Sequence, residues 1–106
     1  MANKQKITAV RLTENIYKII LSVDGVVQNH TTITAAKLQT TDGTVLASSE
    51  VDPTDWNFTN SAYLTVKLGL ADITAGEYTC KLIVKDSTHS IGLAWLDTDI
   101  ILTVLP

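Results

Sequence analysis

The sequence predicts an all-β domain that folds as a sandwich or a barrel. Apolar and polar residues alternate with a period of two over most of the chain, and no segment shows helical spacing of its apolar residues. Val, Ile and Thr, which favour half-buried strands, are abundant. Short strand patterns recur between regularly spaced turn signals, as they do in sandwiches and barrels. With 106 residues, 45% hydrophobic and 18% charged, the chain is expected to form a single domain, 1–106.

Seven strands are predicted, and the first two differ in their apolar faces. In the first strand the apolar residues change face between Ala9 and Val10. A β-bulge or a switch of sheets would explain the change, and so would a strand that is weakly buried on both faces. The second strand has one apolar face, from Tyr17 to Val23, and ends at the turn signal Asp24-Gly25. The predicted strands cover residues 6–12, 16–23, 33–40, 44–49, 62–69, 77–85 and 97–104.

Turn signals and alternation define the remaining strands. Asp42-Gly43 indicates a hairpin between the third and fourth strands. Pro53 cannot donate to a strand ladder, so residues 51–56 are expected to form a loop. In the last three strands, apolar residues at every second position are expected to face the core. These residues are Leu64, Val66, Leu68, Tyr78, Cys80, Leu82, Val84, Ile100, Leu102 and Val104.

Residues 63–80 resemble the E strand, E–F turn and F strand of I-set immunoglobulin domains. Tyr78 lies two residues before Cys80, as does the corner tyrosine of such domains, whose hydroxyl bonds to the backbone upstream. Leu21 stands where the family keeps the first cysteine of its disulfide, and residues 38–46 resemble the C strand and C–C′ turn. The resemblance implies an immunoglobulin-like β-sandwich of about seven antiparallel strands, with Tyr78, Cys80 and Leu21 at its structural corner.

The chain departs from this family in its cysteine content. Cys80 is the single cysteine, so no internal disulfide can form. The loss of such a disulfide costs about 2–5 kcal/mol, which Leu21 packed on Cys80 would have to offset by apolar burial. No apolar region of the secretory type follows the basic N-terminus. We therefore expect a protein that is made in the cytoplasm without a signal peptide and adapted to a reducing compartment.

A second resemblance concerns the last third of the chain. Residues 77–86 and 91–95, with the closing Ile-Ile-Leu-Thr-Val, are similar to the C-terminal half of small single-domain β-sandwich proteins of tailed phages. Those proteins are virion components: capsid decoration or cement subunits, and small head, neck or tail parts. The similarity implies a virion-associated structural protein whose partners are capsid or tail proteins.

Outward-pointing apolar residues indicate an interface with a protein partner. Ile83 and Ile101 are predicted to point away from the core on neighbouring strands, and Ile91, Leu93 and Trp95 add apolar side chains in the connection between them. A contiguous apolar set of this kind marks a docking surface, towards another protein or in a homo-oligomer. The alternative is that residues 91–96 fold back over the sheet and cover the isoleucines. The predicted function is that of a non-enzymatic structural subunit.

A carbohydrate- or ligand-binding module of the adhesin type is the alternative function. Trp56, Tyr63 and Trp95 could offer aromatic faces on which a sugar stacks. A tryptophan in a loop, such as Trp56, more often fills a small satellite core.

No catalytic residue, cofactor or metal site is predicted. His30 and His89, the only histidines, lie outside any nucleophile–base motif. Acidic residues and His89 flank the connection between the last two strands, but their spacing matches no known calcium or zinc motif. The eight Lys and Arg residues are spread along a chain of net charge −3, and no apolar run is long enough to cross a bilayer. Neither a nucleic acid nor a membrane is therefore expected as a partner. The residues that flank the connection between the last two strands, considered above for a metal site, are Asp86, His89, Asp97 and Asp99.

Overall fold

Strands dominate the structure, a computed structural model that describes residues 3–71, 73–95 and 98–106. Strands make up 48% of it and no helix in the described ranges reaches seven residues, so the all-β prediction is confirmed. Single turns of 3₁₀ helix span His30–Thr32, Pro53–Asp55 and Leu68–Ala71. The strands are β1 (Asn3–Val10), β2 (Tyr17–Ile19), β3 (Ser22–Val23), β4 (Val26–Val27), β5 (Ala35–Thr40), β6 (Val45–Ser48), β7 (Trp56–Asn57), β8 (Leu64–Val66), β9 (Gly76–Lys85), β10 (Leu93–Ala94) and β11 (Thr98–Leu105).

The larger sheet is built around β9. Its strand order is β1-β11-β9-β5-β6, and β10 pairs with β9 outside this path. The first half of β9 pairs antiparallel with β11, while its second half lies between β5 and β10. At the edge, β1 runs parallel to β11 from Asn3 opposite Thr98 to Val10 opposite Leu105. The expectation of antiparallel strands is wrong for this pair. Parallel strands require a long crossover, and the whole intervening chain supplies it.

The smaller sheet has the order β2-β8-β7, and β3 and β4 form a separate hairpin. The hairpin closes at Asp24 and Gly25, whose φ angles of 50° and 79° fit a two-residue turn with positive φ at both positions. The predicted turn at this dipeptide is confirmed. The predicted strand 16–23 is interrupted after Ile19, however, and Val23 is exposed rather than directed into the core.

One cluster of buried side chains joins the two sheets into a compact globule. The larger sheet contributes residues from β1, β5, β6, β9 and β11, and the smaller sheet contributes Ile19, Trp56, Leu64 and Val66. The predicted inward faces of the last three strands are all in this cluster, with Tyr78 half-buried against it. The alternating pattern therefore identified the core side of these strands correctly. Leu64, Val66, Leu68, Cys80, Leu82, Val84, Ile100, Leu102 and Val104 are its buried members.

The change of phase in the first strand marks the end of that strand. Ile7 and Ala9 are buried, β1 ends at Val10, and Leu12 is exposed with a φ of 61°. The backbone nitrogen of Leu12 then donates to the carbonyl of Gly69 at 2.9 Å. The chain leaves the sheet here, so neither a bulge nor a sheet switch within a longer strand is needed.

A glutamine side chain ties β1 to the end of β2. The backbone nitrogen of Ile20 donates to Gln5 Oε1 at 3.2 Å, and Gln5 Nε2 donates to the carbonyl of Ile20. The amide of Gln5 thus bonds to Ile20 as a neighbouring strand would. This contact links an edge strand of the larger sheet to the segment that follows an edge strand of the smaller one, and it helps to explain why β2 stops at Ile19.

Tyr78, Leu21 and Cys80, the residues predicted for the structural corner, have the following contacts and burial. The hydroxyl of Tyr78 donates to the carbonyl of Thr74 at 2.6 Å, across the turn that leads into β9. Leu21 and Cys80 are each 1% exposed and belong to the same core cluster. Burial raises the pKa of the Cys80 thiol to about 11. Cys80 is thus a small buried apolar residue of the core, in the protonated form.

We expect Cys80 to be unreactive in the folded protein, because its thiol is 1% exposed and has a pKa of about 11. Ellman's reagent at about pH 8 should modify it at the rate of unfolding, and at once in concentrated urea. The thiol of an unfolded chain has a pKa of about 8.5. The free energy of unfolding should therefore fall as the pH rises from that value towards the pKa of about 11 in the folded protein. Fast modification of the folded protein, at a rate that does not depend on urea, would contradict this burial.

Candidate functional site

Three segments meet at one end of the molecule, and we call this region the loop end. They are the β3–β4 hairpin, the connection 28–34 and the segment 86–95 that follows β9. The indole nitrogen of Trp95 donates to the Ser22 carbonyl at 2.9 Å, and its backbone nitrogen donates to the Leu82 carbonyl at 2.8 Å. Segment 86–95 is thereby fixed both to the hairpin and to β9.

His30 is a buried polar residue of the loop end, with 1% of its surface exposed. Its Nε2 accepts a hydrogen bond from the backbone nitrogen of Leu21 at 2.9 Å, and its Nδ1 donates to the carbonyl of Ser61 at 3.0 Å. The His30 backbone nitrogen donates to the same carbonyl at 3.1 Å. This pattern requires the neutral tautomer with its proton on Nδ1. Because both ring nitrogens bond to the backbone, His30 crosslinks the chain and is not available as a base.

A cleft of ≈230 Å³ opens at the loop end, where the connection 28–34 faces the segment 86–95. Leu21 and Val84 are its buried apolar members, and Asp86 is the acidic residue in its lining. The volume is below the roughly 300–1,000 Å³ of common small-ligand pockets, so the cleft suits a single side chain better than a large ligand. Its full lining is Leu21, Gln28, Asn29, His30, Thr32, Ile33, Val84, Asp86, Leu93 and Trp95.

The carboxylate of Asp86 is held in one orientation by the turn that follows it. Its Oδ1 accepts hydrogen bonds from the backbone nitrogens of Thr88 and His89 at 2.9 and 2.8 Å. The Thr88 hydroxyl donates to the same oxygen at 3.0 Å, and His89 Nδ1 lies 2.9 Å from it. The bonds from His89 and then from Thr88 lower the pKa of Asp86 to about 2. Asp86 is therefore ionised at neutral pH, and these bonds weaken only as the pH falls towards that value.

The residues considered for a metal site do not converge. Asp86 contacts His89 within the turn, whereas Asp99 pairs with Lys81 at 2.5 Å on the outer face of the larger sheet. Asp97 lies outside the described residues. Among the residues that the structure describes, no group of three or more His, Cys, Asp or Glu side chains could hold a metal ion.

Exposed apolar side chains occur on two of the three segments of the loop end. Val23 and Val26 face each other across the β3–β4 hairpin, and Val27 follows them. Segment 86–95 adds Leu93 and Ile91, the latter with 91% of its surface exposed. All five side chains are large, apolar and exposed, so both segments present apolar side chains to solvent at the loop end. The sequence does not indicate the exposed valines of the hairpin, because the alternation over residues 16–23 predicts one continuous strand with Val23 facing the core.

Ile83 and Ile101 lie on the outer face of the larger sheet, half-buried and apart from each other. Ile101 is opposite Thr79 on β9, so Ile83 lies four residues farther along that strand. The ion pair between Lys81 and Asp99 falls between the two isoleucines. They therefore do not form a contiguous apolar pair.

Segment 86–95 covers Ile83 in part. A Cβ atom at Gly92, whose φ is 119°, would lie 2.7 Å from Cγ2 of Ile83, so the glycine backbone packs directly on that side chain. Ala94 pairs with Ile83 in the sheet, and Trp95 packs against the core. The sequence allowed two arrangements: an exposed apolar segment, or a segment that covers the isoleucines. The structure shows part of each, since the segment folds back over Ile83 while Ile91 and Leu93 stay exposed.

Two of the aromatic residues considered for sugar stacking have their faces occupied. Trp56 is 7% exposed and its ring lies 6.2 Å from that of Phe58. The ammonium group of Lys18 lies 4.6 Å from the centre of the Tyr63 ring. Trp95 is half-buried and hydrogen-bonded to Ser22. These contacts give no support to a sugar platform at the three residues.

Strand alternation places several lysines on the outer face of the larger sheet. Two of them are in ion pairs, since Lys81 contacts Asp99 and Lys85 contacts Glu50 at 2.9 Å. This grouping is invisible in the sequence, where the lysines are far apart. The lysines at outward strand positions are Lys4, Lys6, Lys37, Lys81 and Lys85.

No family model, no curated protein and no solved structure matches this chain. Within the described residues, no helix is both long enough and apolar enough to cross a bilayer. The candidate site therefore rests on its own geometry: a fixed loop end, an apolar surface and a small cleft with one ionised carboxylate.

Trp95 should contribute to stability through both its hydrogen bond and its ring. Trp95→Phe removes the indole donor to Ser22, so we expect a loss of about 1 kcal/mol in the free energy of unfolding. Trp95→Ala also removes the ring from the core cluster, and we expect a loss of about 2–3 kcal/mol, less than for a fully buried tryptophan. Urea unfolding followed by circular dichroism measures both.

The matched control for these variants is Ile91→Ala, in the same segment but 91% exposed. It should change the stability by less than about 0.5 kcal/mol. If Trp95→Ala were as mild as this control, Trp95 would be a surface residue and would not hold the loop end together.

Proposed function

We propose that this chain is a non-enzymatic interaction subunit that docks on a larger protein assembly through its loop end. The observation that carries the proposal is the set of exposed apolar side chains at the loop end, of which Leu93 also lines the cleft. The set is Val23, Val26, Val27, Ile91 and Leu93. Exposed apolar patches of this kind mark interaction sites. The bonds of His30 and Trp95 fix the surface before any partner arrives, which lowers the entropy cost of docking.

We also infer that the fold is an immunoglobulin-like sandwich. In the strand letters of such domains, the larger sheet would have the order A′-G-F-C-C′ and the smaller sheet the order B-E-D. The hydrogen bond from Tyr78 to the Thr74 carbonyl supports the assignment, since it is the bond expected of a corner tyrosine. By analogy of fold alone, the loop end would hold the B–C and F–G loops, which antibody variable domains use for binding.

The chemistry of the titratable groups supports a role without catalysis. Both ring nitrogens of His30 bond to the backbone, and the Cys80 thiol is buried with a raised pKa. The carboxylate of Asp86 and the imidazole of His89 bond to each other within one exposed turn. None of these pairs places an activated nucleophile beside a base.

The assembly that we propose is a phage virion, with capsid or tail proteins or further copies of this chain as partners. The similarity of residues 77–86 and 91–95 to small virion proteins suggests this choice. A closed homo-oligomer would use the same surface on every copy.

A charge placed in the apolar surface should prevent assembly without unfolding the protein. Val26→Asp changes a residue of the loop end, and Ile16→Asp is its matched control at the opposite end, because both side chains are 63% exposed. Light scattering over a dilution series, alone and with candidate capsid and tail proteins, measures assembly.

We expect the parent chain and Ile16→Asp to assemble alike, and Val26→Asp to remain monomeric with an unchanged circular dichroism spectrum. If both variants assembled to the same extent, the proposal that the chain docks through its loop end would be contradicted. A parent chain that stays monomeric with every capsid and tail protein would contradict the virion proposal.

A further inference from the structure

We infer that the cleft at the loop end receives a cationic side chain, a lysine or an arginine, from the partner protein. This inference rests on the proposed function, since it names the chemistry of the partner residue that enters the docking surface. The occupant is a protein side chain, because the cleft opens at the loop end that the partner would cover: exposed Leu93 lines it, and exposed Val27 directly precedes the lining residue Gln28.

The apolar lining fits the stem of such a side chain. Leu21 and Val84 are buried, and the half-buried ring of Trp95 lines the cleft beside them. Lysine and arginine bury their methylene stems against surfaces of this kind while the charged head stays at a polar edge. An indole ring also attracts a cation that lies over its face. The volume of ≈230 Å³ is suited to one extended side chain.

The charge in the cleft favours a cation. Asp86 is the acidic residue of the lining, and in the described part of the chain no lysine or arginine lines the cleft. In the residues that the structure describes, Thr88 and His89 bond to Oδ1 of Asp86, so the turn fixes the carboxylate through that one oxygen. The neighbouring Lys85 is paired with Glu50 at 2.9 Å. A partner ammonium or guanidinium group would therefore meet a preorganised carboxylate.

Other occupants fit less well. An anionic side chain would be repelled by the ionised carboxylate of Asp86. A wholly apolar side chain would remove water from that carboxylate without replacing its hydrogen bonds, which is costly. The apolar lining and the single negative charge together select a long side chain with a positive end.

The test is an NMR titration of the ¹⁵N-labelled chain with three amino-acid amides that are acetylated on the α-amino group. Nα-acetyl-lysine amide and Nα-acetyl-arginine amide keep a cationic side chain, and Nα-acetyl-norleucine amide has a neutral side chain of similar length. The indole signal of Trp95 and the side-chain amide signals of Gln28 and Asn29 report on the cleft. We expect saturable shifts with the two cations, at Kd values on the order of millimolar for one side chain. Norleucine amide should bind about fivefold more weakly or worse, as the loss of one charge contact near a surface implies.

Asp86→Asn is the decisive variant, because asparagine keeps an oxygen that can accept from Thr88 and His89 while it loses the charge. It should weaken lysine binding about fivefold and leave norleucine binding unchanged. Asp24→Asn is the matched control: Asp24 lies in the hairpin turn of the loop end but does not line the cleft, and asparagine tolerates its φ of 50°. This variant should bind lysine amide like the parent chain.

Three results would overturn the inference: no shift with either cation, norleucine amide bound as tightly as lysine amide, or lysine binding unaffected by Asp86→Asn. Its failure is distinguishable from failure of the proposed function. If Val26→Asp abolishes assembly while the cleft shows no preference for cations, docking through the loop end stands and the lysine or arginine anchor is wrong.

Discussion

The buried imidazole of His30 is the contact on which the loop end depends. Between β2 and β3, the backbone N–H of Leu21 donates to His30 Nε2, and His30 Nδ1 donates to the Ser61 carbonyl. The Leu21 carbonyl accepts from the backbone nitrogen of Gln28, so the imidazole supplies the partner for the Leu21 N–H. A buried backbone N–H without an acceptor costs about 1–3 kcal/mol, so removing the ring would leave Leu21 with that cost. The same contact brings the connection 28–34 against the core, where it forms one wall of the cleft.

At several other places too, side chains bond to backbone groups that no strand ladder satisfies. These bonds hold the segments between the short strands in place. Gln5 bonds to Ile20 as a strand would, and Asn29 Oδ1 accepts from the backbone nitrogen and the hydroxyl of Thr31 at 3.0 and 2.7 Å. Asp86 closes its own turn in a similar way. The loops are thus held by polar side chains close to their own backbone, which gives the proposed docking surface a fixed shape without a disulfide.

The sequence predicted the long strands and their inward faces well, because a period of two is a local signal. It could not predict where β2 breaks, since the break depends on Gln5 and His30, which lie 15 and 9 residues from their backbone partners. The pairing of β1 with β11 is likewise a contact between distant parts of the chain. Two-residue strands such as β4, β7 and β10 carry too few residues for a pattern. The position of Ile91 and Leu93 between two predicted strands indicates that they are exposed. The cleft cannot be predicted in the same way, because it forms only where segments distant in sequence meet in the fold.

The central claim is that a neutral His30 crosslinks the loop end and fixes the surface that we propose for docking. The most direct test is a ¹⁵N NMR spectrum of the two histidine rings, assigned with a His89→Gln variant. We expect one ring, that of His30, to be locked in a single neutral tautomer, with a protonated Nδ1 and an unprotonated Nε2. A His30 ring that is protonated on Nε2, or that averages between tautomers as a free imidazole does, would contradict the claim.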